Sequence, residues 1–325
     1  MIVVTGGAGL IGSAVVDRLN ALGRDDIIIV DHLGRSEKWK NLTALRFADY
    51  LEKELFLERI ICNQVPGGID TMIHLGACSA TTEQDASYLI RNNFEYSKCL
   101  ASYAVKHDIR FVYASSAATY GDGSNGFSDD EDLLHALRPL NMYGYSKHLF
   151  DLWALREGLL DRIAGLKYFN VFGPNEYHKG EMRSLVLKAF EQIAETGTLK
   201  LFRSYRHDYA DGEQMRDFLY VKDAADMTVH FAENRRANGI FNIGSGQPHT
   251  WNSLAAAIFE AMDMTAVIEY IDIPDQIRDK YQYYTCADIA KLRTSGYDGS
   301  ITPLREAVAE YVRKYLVAGR MLGVR

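Results

Sequence analysis

Tyr143 and Lys147 stand one helical turn apart in the run Tyr143-Gly144-Tyr145-Ser146-Lys147. On a helix that spacing puts a phenol and an ammonium on one face. A tyrosine with its ordinary pKa of about 10 is a poor base at neutral pH, and a neighbouring ammonium favours its phenolate. Taken alone, the pair also fits the surface of any amphipathic helix. The stretch Ser115-Ser116-Ala117-Ala118-Thr119-Tyr120-Gly121 adds a hydroxyl directly after the apolar run Phe111–Ala114. Doubly wound sheets bind ligands at the carboxyl ends of their strands. There Ser116 can hydrogen-bond a reacting hydroxyl or carbonyl while Tyr143 exchanges its proton.

A third motif supplies the redox partner. Thr5-Gly6-Gly7-Ala8-Gly9-Leu10-Ile11-Gly12 follows the apolar run Ile2-Val3-Val4. Gly6 permits a tight strand-to-helix turn, Gly9 lets backbone N–H groups approach a pyrophosphate, and Gly12 lets helix and strand pack closely. The helix N-terminus adds a positive partial charge. About 20 residues later the run Ile27-Ile28-Ile29-Val30 ends at Asp31, as a dinucleotide fingerprint requires. Asp31 would accept from the adenosine ribose, which favours NAD. Arg35, Lys38 and Lys53 would suit the 2′-phosphate of NADP. The residues leave both cofactors open.

The elements that must position these groups alternate. Further strands are expected at 71–74, 110–114 and 165–169, with helical stretches between them and a long helix from about Tyr143. Such alternation implies parallel pairing, and strands apolar throughout imply a sheet covered on both faces. The expected fold is α/β, a doubly wound parallel sheet of the Rossmann type with a smaller mixed α/β substrate-binding lobe. Residues 1–171 would form the dinucleotide-binding domain and 172–325 the lobe, with about 215–245 returning to the first domain. The site would lie in the cleft between them.

Composition narrows the function classes. Of 325 residues, 47% are hydrophobic and 24% charged, with a formal charge of −7, so a nucleic-acid partner is not expected. Cys62, Cys78, Cys99 and Cys286 form no C-x-x-C pair and no His cluster has zinc spacing, so no metal site is expected. No apolar run reaches the roughly 20 residues of a membrane span, and Met1 runs straight into a core strand. A cytoplasmic protein is expected, with no membrane partner.

With these motifs in their order, the chain resembles the extended short-chain dehydrogenase/reductase family of nucleotide-sugar enzymes over nearly its whole length. Within that family it is most similar to the ADP-glycero-manno-heptose 6-epimerases. The resemblance rests on His74–Glu83, Tyr113–Gly121, Asn141–Lys147, Tyr168–Pro174 with His178-Lys179-Gly180, and the Tyr281–Asp288 region. It implies bound NADP, with NAD as the alternative, held by Gly6, Gly9, Leu10, Ile11, Gly12, Asp31, His32, Lys38, Lys53, Leu75, Gly76, Ala77, Cys78, Ser79, Asn92, Tyr143, Lys147, Val171 and Lys179. It implies catalysis by Ser116, Tyr143 and Lys147, with Lys179 as a second acid–base group. An ADP-heptose-type nucleotide sugar would be held by Ser116, Asn170, Glu181, Lys188, Phe202, Arg203, Ser204, Arg216 and Tyr281, and copies of the chain would associate as a homo-oligomer. Leu75, Glu181 and Lys188 depart from the pattern of that subfamily. The rival readings are a UDP-hexose 4-epimerase, a 4,6-dehydratase, or a cofactor-sensing protein without catalysis. Ser116-Ala117-Ala118 lacks the Asp-Glu pair of a dehydratase, and a sensor would not need both Tyr143 and Lys147.

Overall fold

The computed structural model describes residues 1–278 and 281–324. Its strands, in chain order, are β1 (Ile2–Thr5), β2 (Ile27–Asp31), β3 (Asp49–Glu52), β4 (Thr71–His74), β5 (Arg110–Ser116), β6 (Ile163–Tyr168), β7 (Asn170–Phe172), β8 (Leu199–Phe202), β9 (Met215–Tyr220), β10 (Gly239–Ile243), β11 (Pro248–Thr250) and β12 (Ile268–Ile271). Seven of them form one sheet in the order β10-β6-β5-β4-β1-β2-β3, and every pairing in it is parallel. The chain builds outward from β1 to β3 and then crosses to β4 on the other side. The strand order therefore reverses between β1 and β4, the position at which open α/β sheets bind ligands.

The apolar runs are explained by burial on both faces. Val4, Ile27 and Ile29 enter one core, while Val3, Ile28 and Val30 enter the other. Fully burying each such side chain stabilises by roughly 1.5–3 kcal/mol. Helices α1 (Leu10–Ala21), α2 (Lys53–Ile61), α3 (Ala86–Leu89), α4 (Tyr96–Lys106), α5 (Met142–Arg156), α6 (Leu185–Thr196), α7 (Val221–Glu233) and α8 (Trp251–Ala261) follow in chain order. α1 and α7 cover one face beside each other, and α4 and α5 contact β5. Strand β3 is missing from the sequence reading, because only Leu51 of its four residues is buried and no apolar run marks it.

The second layer of structure sits beyond the carboxyl ends of the large sheet. β7 continues from β6 after one residue and pairs with β9, which pairs with β11, and β8 pairs with β12. The segment 215–245, expected to return to the first domain, opens with β9, which joins this three-stranded sheet instead of the large one. What returns to the large sheet is α7 and β10. The reason is local to Asp217, which is fully buried. Its carboxylate accepts from the Ser245 N–H and hydroxyl, the Gly246 N–H and the Ala287 N–H at 2.7–2.9 Å. Those bonds tie β9 to the chain leaving β10.

Candidate active site

The carboxyl-end turns of β1, β2, β4 and β5 meet the three-stranded sheet around one cavity of about 1300 Å³. The turn after β1 is shaped by glycine. Gly6 has φ +69°, and a Cβ there would stand 2.7 Å from the Gly76 backbone nitrogen. A Cβ on Gly12 would run into the Gly6 carbonyl oxygen. Gly9 caps α1 without any side-chain hydrogen bond, so the positive helix end opens on the cavity. At the end of β2, Asp31 is buried and accepts from Ala8 N–H at 2.8 Å, His32 N–H at 2.7 Å and the Lys38 ammonium at 2.5 Å. Lys53 donates to Asn92 Oδ1 at 2.6 Å. A glycine cradle free of side chains, an uncapped helix end and a lysine beside the Asp31 carboxylate fit the phosphates and ribose of a dinucleotide.

The cavity is also lined by Ser116, Tyr143 and Lys147. Ser116 ends β5, and its hydroxyl oxygen accepts from the Ala118 N–H at 3.1 Å. Asn141 caps α5 by accepting from the Gly144 N–H at 2.8 Å. Gly144 lies so close to the turn after β5 that a Cβ there would stand 2.7 Å from the Ala118 carbonyl oxygen. This contact seats the first turn of α5 on the Ser116 turn and brings Tyr143 within hydrogen-bond reach of the Ser116 hydroxyl. Lys147, one turn on, is buried and donates to the Ala114 carbonyl at 2.8 Å.

The protonation balance differs from the expectation that the ammonium would lower the tyrosine pKa. Burial pushes Tyr143 up, and the Ser116 hydrogen bond opposes it. Burial pushes Lys147 down to about 8, with the Asp151 carboxylate opposing. Burial is the leading cause for both groups, and the Lys147 ammonium donates to the Ala114 carbonyl. In this environment the charged form of each group is disfavoured.

The far wall belongs to the turn 177–182 and the small sheets. Lys179 lines the cavity; burial lowers its pKa and Glu176 raises it. His178 beside it is pushed down to about 4 by burial, with Lys38 and Lys179 adding to the effect. Asn170, Arg216 and Tyr281 also line the cavity. The Arg216 guanidinium lies 5.4 Å from the Tyr281 ring and 5.5 Å from the Trp251 ring. Trp251 in turn donates to the Tyr281 hydroxyl at 2.8 Å. The two terminal nitrogens of Arg216 donate to the Met215 and Gln282 carbonyls, which fix a buried positive charge between two aromatic rings at the cavity wall. Trp251 was not legible as a site residue, because its position at the start of α8 reads as ordinary helix.

Every expected cofactor residue lines this cavity, from Gly6, Leu10, Ile11, His32, Leu75, Gly76, Ala77, Cys78 and Ser79 to Asn92 and Val171. On the sugar side the agreement is partial. Glu181, Lys188, Phe202, Arg203 and Ser204 are not among the lining residues. Lys188 donates to the Glu181 carbonyl and carboxylate on the exposed outer side. Arg203 pairs with Asp272 at 3.6 Å, and the Ser204 N–H is taken by Asp211 at 2.7 Å. Phe202 stands behind Tyr281, with ring centroids 5.9 Å apart, and supports that residue instead of lining the cavity.

Residues 2–244 match the model of the NAD dependent epimerase/dehydratase family. The chain belongs to that family. Among members of the NAD-dependent epimerase/dehydratase family, it is 55% identical over 318 residues to the ADP-L-glycero-D-manno-heptose-6-epimerase of Nitratidesulfovibrio vulgaris, covering 98% of each chain. It is 45% identical over 325 residues to the enzyme of the same name from Fusobacterium nucleatum, covering 97% of this chain and 98% of that one. The crystal structure of the Helicobacter pylori ADP-L-glycero-D-manno-heptose-6-epimerase superposes with a TM-score of 0.79 at 25% identity, covering 96% and 95% of the two chains.

Proposed function

We propose that this chain is an ADP-glycero-manno-heptose 6-epimerase. The observation that carries the reading is one cavity lined by two acid–base groups from separate elements, Tyr143 on α5 and Lys179 on the 177–182 turn. Inverting a carbinol carbon requires a proton to leave on one approach and return on the other. The relatives named above, at 55% and 45% identity, supply the substrate class.

Held by the Gly6–Gly12 turn, Asp31 and Lys147, a nicotinamide cofactor would supply reversible hydride transfer at C6 of the heptose. Ser116 holds the reacting oxygen by hydrogen bond. Either Tyr143 or Lys179 removes the hydroxyl proton as the ketone forms, and the other returns a proton after the sugar turns. Lys147 orients the cofactor ribose and favours the Tyr143 phenolate once both face a ligand. Arg216 and Tyr281 hold the ADP portion, and Asn170 steadies the sugar. Electrons and protons balance over the cycle, so no external oxidant is consumed. The cavity walls keep water from the intermediate.

The cofactor is proposed to be NADP. The Lys38 ammonium at Asp31 is the support, since it places a positive charge where a 2′-phosphate would lie and already occupies the Asp31 carboxylate. No helix among the described residues is long and apolar enough to cross a membrane. We place the reaction in the cytoplasm and expect a homo-oligomer.

The test incubates the purified protein with ADP-D-glycero-D-manno-heptose and a panel of UDP-hexoses and follows inversion by NMR. Inversion of the heptose at C6 is expected, and Tyr143→Phe should cut it by roughly 10²–10⁴-fold. Turnover of a UDP-hexose at C4 without heptose turnover would replace this reading with the 4-epimerase. Full activity in Tyr143→Phe would remove Tyr143 from the mechanism.

A further inference from the structure

The turn that carries Lys179 is held by an unusual set of buried polar groups. Asn175 and Glu176 are both fully buried. Asn175 adopts φ +75°, rarely populated outside glycine. Its amide donates to the Ser13 hydroxyl of α1 at 3.0 Å, and its side-chain oxygen accepts the Leu322 N–H at 3.0 Å. Its main-chain carbonyl accepts from Asn41 at 2.9 Å, and the same Asn41 amide donates to the Ala8 carbonyl in the glycine cradle at 2.8 Å. Glu176 accepts from the Ser184 N–H and hydroxyl at the start of α6, from the Tyr311 hydroxyl at 3.1 Å and from the Gly173 N–H at 3.4 Å.

A buried carboxylate is costly unless it is paired and hydrogen-bonded. Neutral donors satisfy both oxygens of Glu176. Lys179 stands three residues on, its main-chain N–H donating to the Glu176 carbonyl at 3.0 Å. We propose that Glu176 is a positioning residue for Lys179: its carboxylate locks the 173–184 turn to α6 and Tyr311 and stands as the counter-charge behind the lysine. The proposal rests on the reading of Lys179 as an acid–base group. The cavity disfavours an ammonium, and Glu176 opposes that effect. Without the carboxylate, a smaller fraction of Lys179 would carry a proton to return to the substrate at a given pH. The other titratable groups around Lys179 are His178 on the same turn and, through His178, Lys38 and Asp31 from the segment after β2.

The test uses the cofactor-loaded protein with ADP-D-glycero-D-manno-heptose and compares the parent with Glu176→Gln, Glu176→Asp, Tyr311→Phe and Lys179→Met. Glu176→Gln should lose about 10- to 100-fold in kcat with KM within threefold of the parent. The limb of the kcat–pH profile governed by Lys179 should move to lower pH by roughly one unit. Glu176→Asp, which keeps the charge, should return the limb to its place. Tyr311→Phe removes one hydrogen bond and leaves the charge. Its kcat should fall about threefold with the limb unmoved, and that variant decides the positioning role if Glu176→Gln does not fold. An unmoved limb with parental kcat in Glu176→Gln, or parental kcat in Tyr311→Phe, overturns the proposal. Lys179→Met separates the two layers. Full inversion in that variant removes the acid–base reading itself, whereas an inactive Lys179→Met beside a parental Glu176→Gln removes the positioning role alone.

Discussion

Replacing Asp151 by asparagine should destabilise the protein far more than the isosteric change suggests, and replacing Lys167 as well should recover most of the loss. Both side chains are fully buried, and their charged atoms lie 3.3 Å apart beneath the Ser116 turn. Asp151 accepts from Tyr113 at 2.9 Å and Ser115 at 2.7 Å, and Lys167 donates to Thr119 at 2.6 Å. Asp151→Asn strands the Lys167 ammonium, which costs roughly 3–5 kcal/mol, whereas removing both charges together is often close to neutral. Lys167→Met gives up the ammonium that lies 4.6 Å from the Tyr120 ring centroid and should cost about 3 kcal/mol alone. At roughly 2.1 cal/mol/K per residue, 325 residues give an unfolding entropy near 0.7 kcal/mol/K, so each kcal/mol is worth about 1.5 °C in Tm. Asp151→Asn should then melt about 6 °C below the parent, and the double variant only about 2–4 °C below. Thermal melts of the four proteins at one pH complete the cycle. A double variant whose loss equals the sum of the singles, about 10 °C, would refute the pairing as the source of the effect. Because Asp151 also opposes the downward push on Lys147, Asp151→Asn should move the activity limb near pH 8 to lower pH.

Gly12→Ala puts a Cβ into the Gly6 carbonyl, so the variant should purify without nicotinamide absorbance while retaining its far-UV circular dichroism; a normally loaded variant would contradict the cradle. Lys38→Glu should weaken NADP at least tenfold in fluorescence titrations and leave NAD within a fewfold; equal losses for both would argue against a 2′-phosphate contact. His74 is buried between Thr5 and Ser97 and pushed down to about 3 by burial. Its imidazole is neutral in the folded chain, so the unfolded chain takes up a proton first. Stability should be intact above about pH 6.5 and fall as pH drops toward 3, by up to roughly 4 kcal/mol. His74→Gln should flatten the urea midpoint between pH 6.5 and 4, and an unchanged slope would point to other groups.

The parts of the site that could be read from the chain are those whose partners are close in sequence. Gly6, Gly9 and Gly12 share a strand-to-helix turn, and Tyr143 and Lys147 share a helical turn. The joint order with Ser116 then gave the family and the parallel sheet, which the matches confirm. Lys179 was reached only through resemblance, because a lysine in a Gly-containing turn is ordinary surface composition. The groups that hold it come from Ser13, Asn41, Tyr311 and Leu322, and no local pattern announces such long-range bonds. The same limit misled the sugar side. Phe202 ends β8 and Arg203 and Ser204 follow it, yet Phe202 packs against the Tyr281 ring, Arg203 pairs with Asp272 and the Ser204 N–H is held by Asp211. Glu181 and Lys188 satisfy each other on the outer surface, a pairing across seven residues that the spacing alone did not reveal.

The turn bearing Lys179 leans on Tyr311 and Leu322 as well as on Ser13 and Asn41. Those supports lie on both sides of the turn in sequence, from Ser13 to Leu322. A truncation before Tyr311 would therefore loosen a cavity wall near the middle of the chain while leaving every residue of that wall in place.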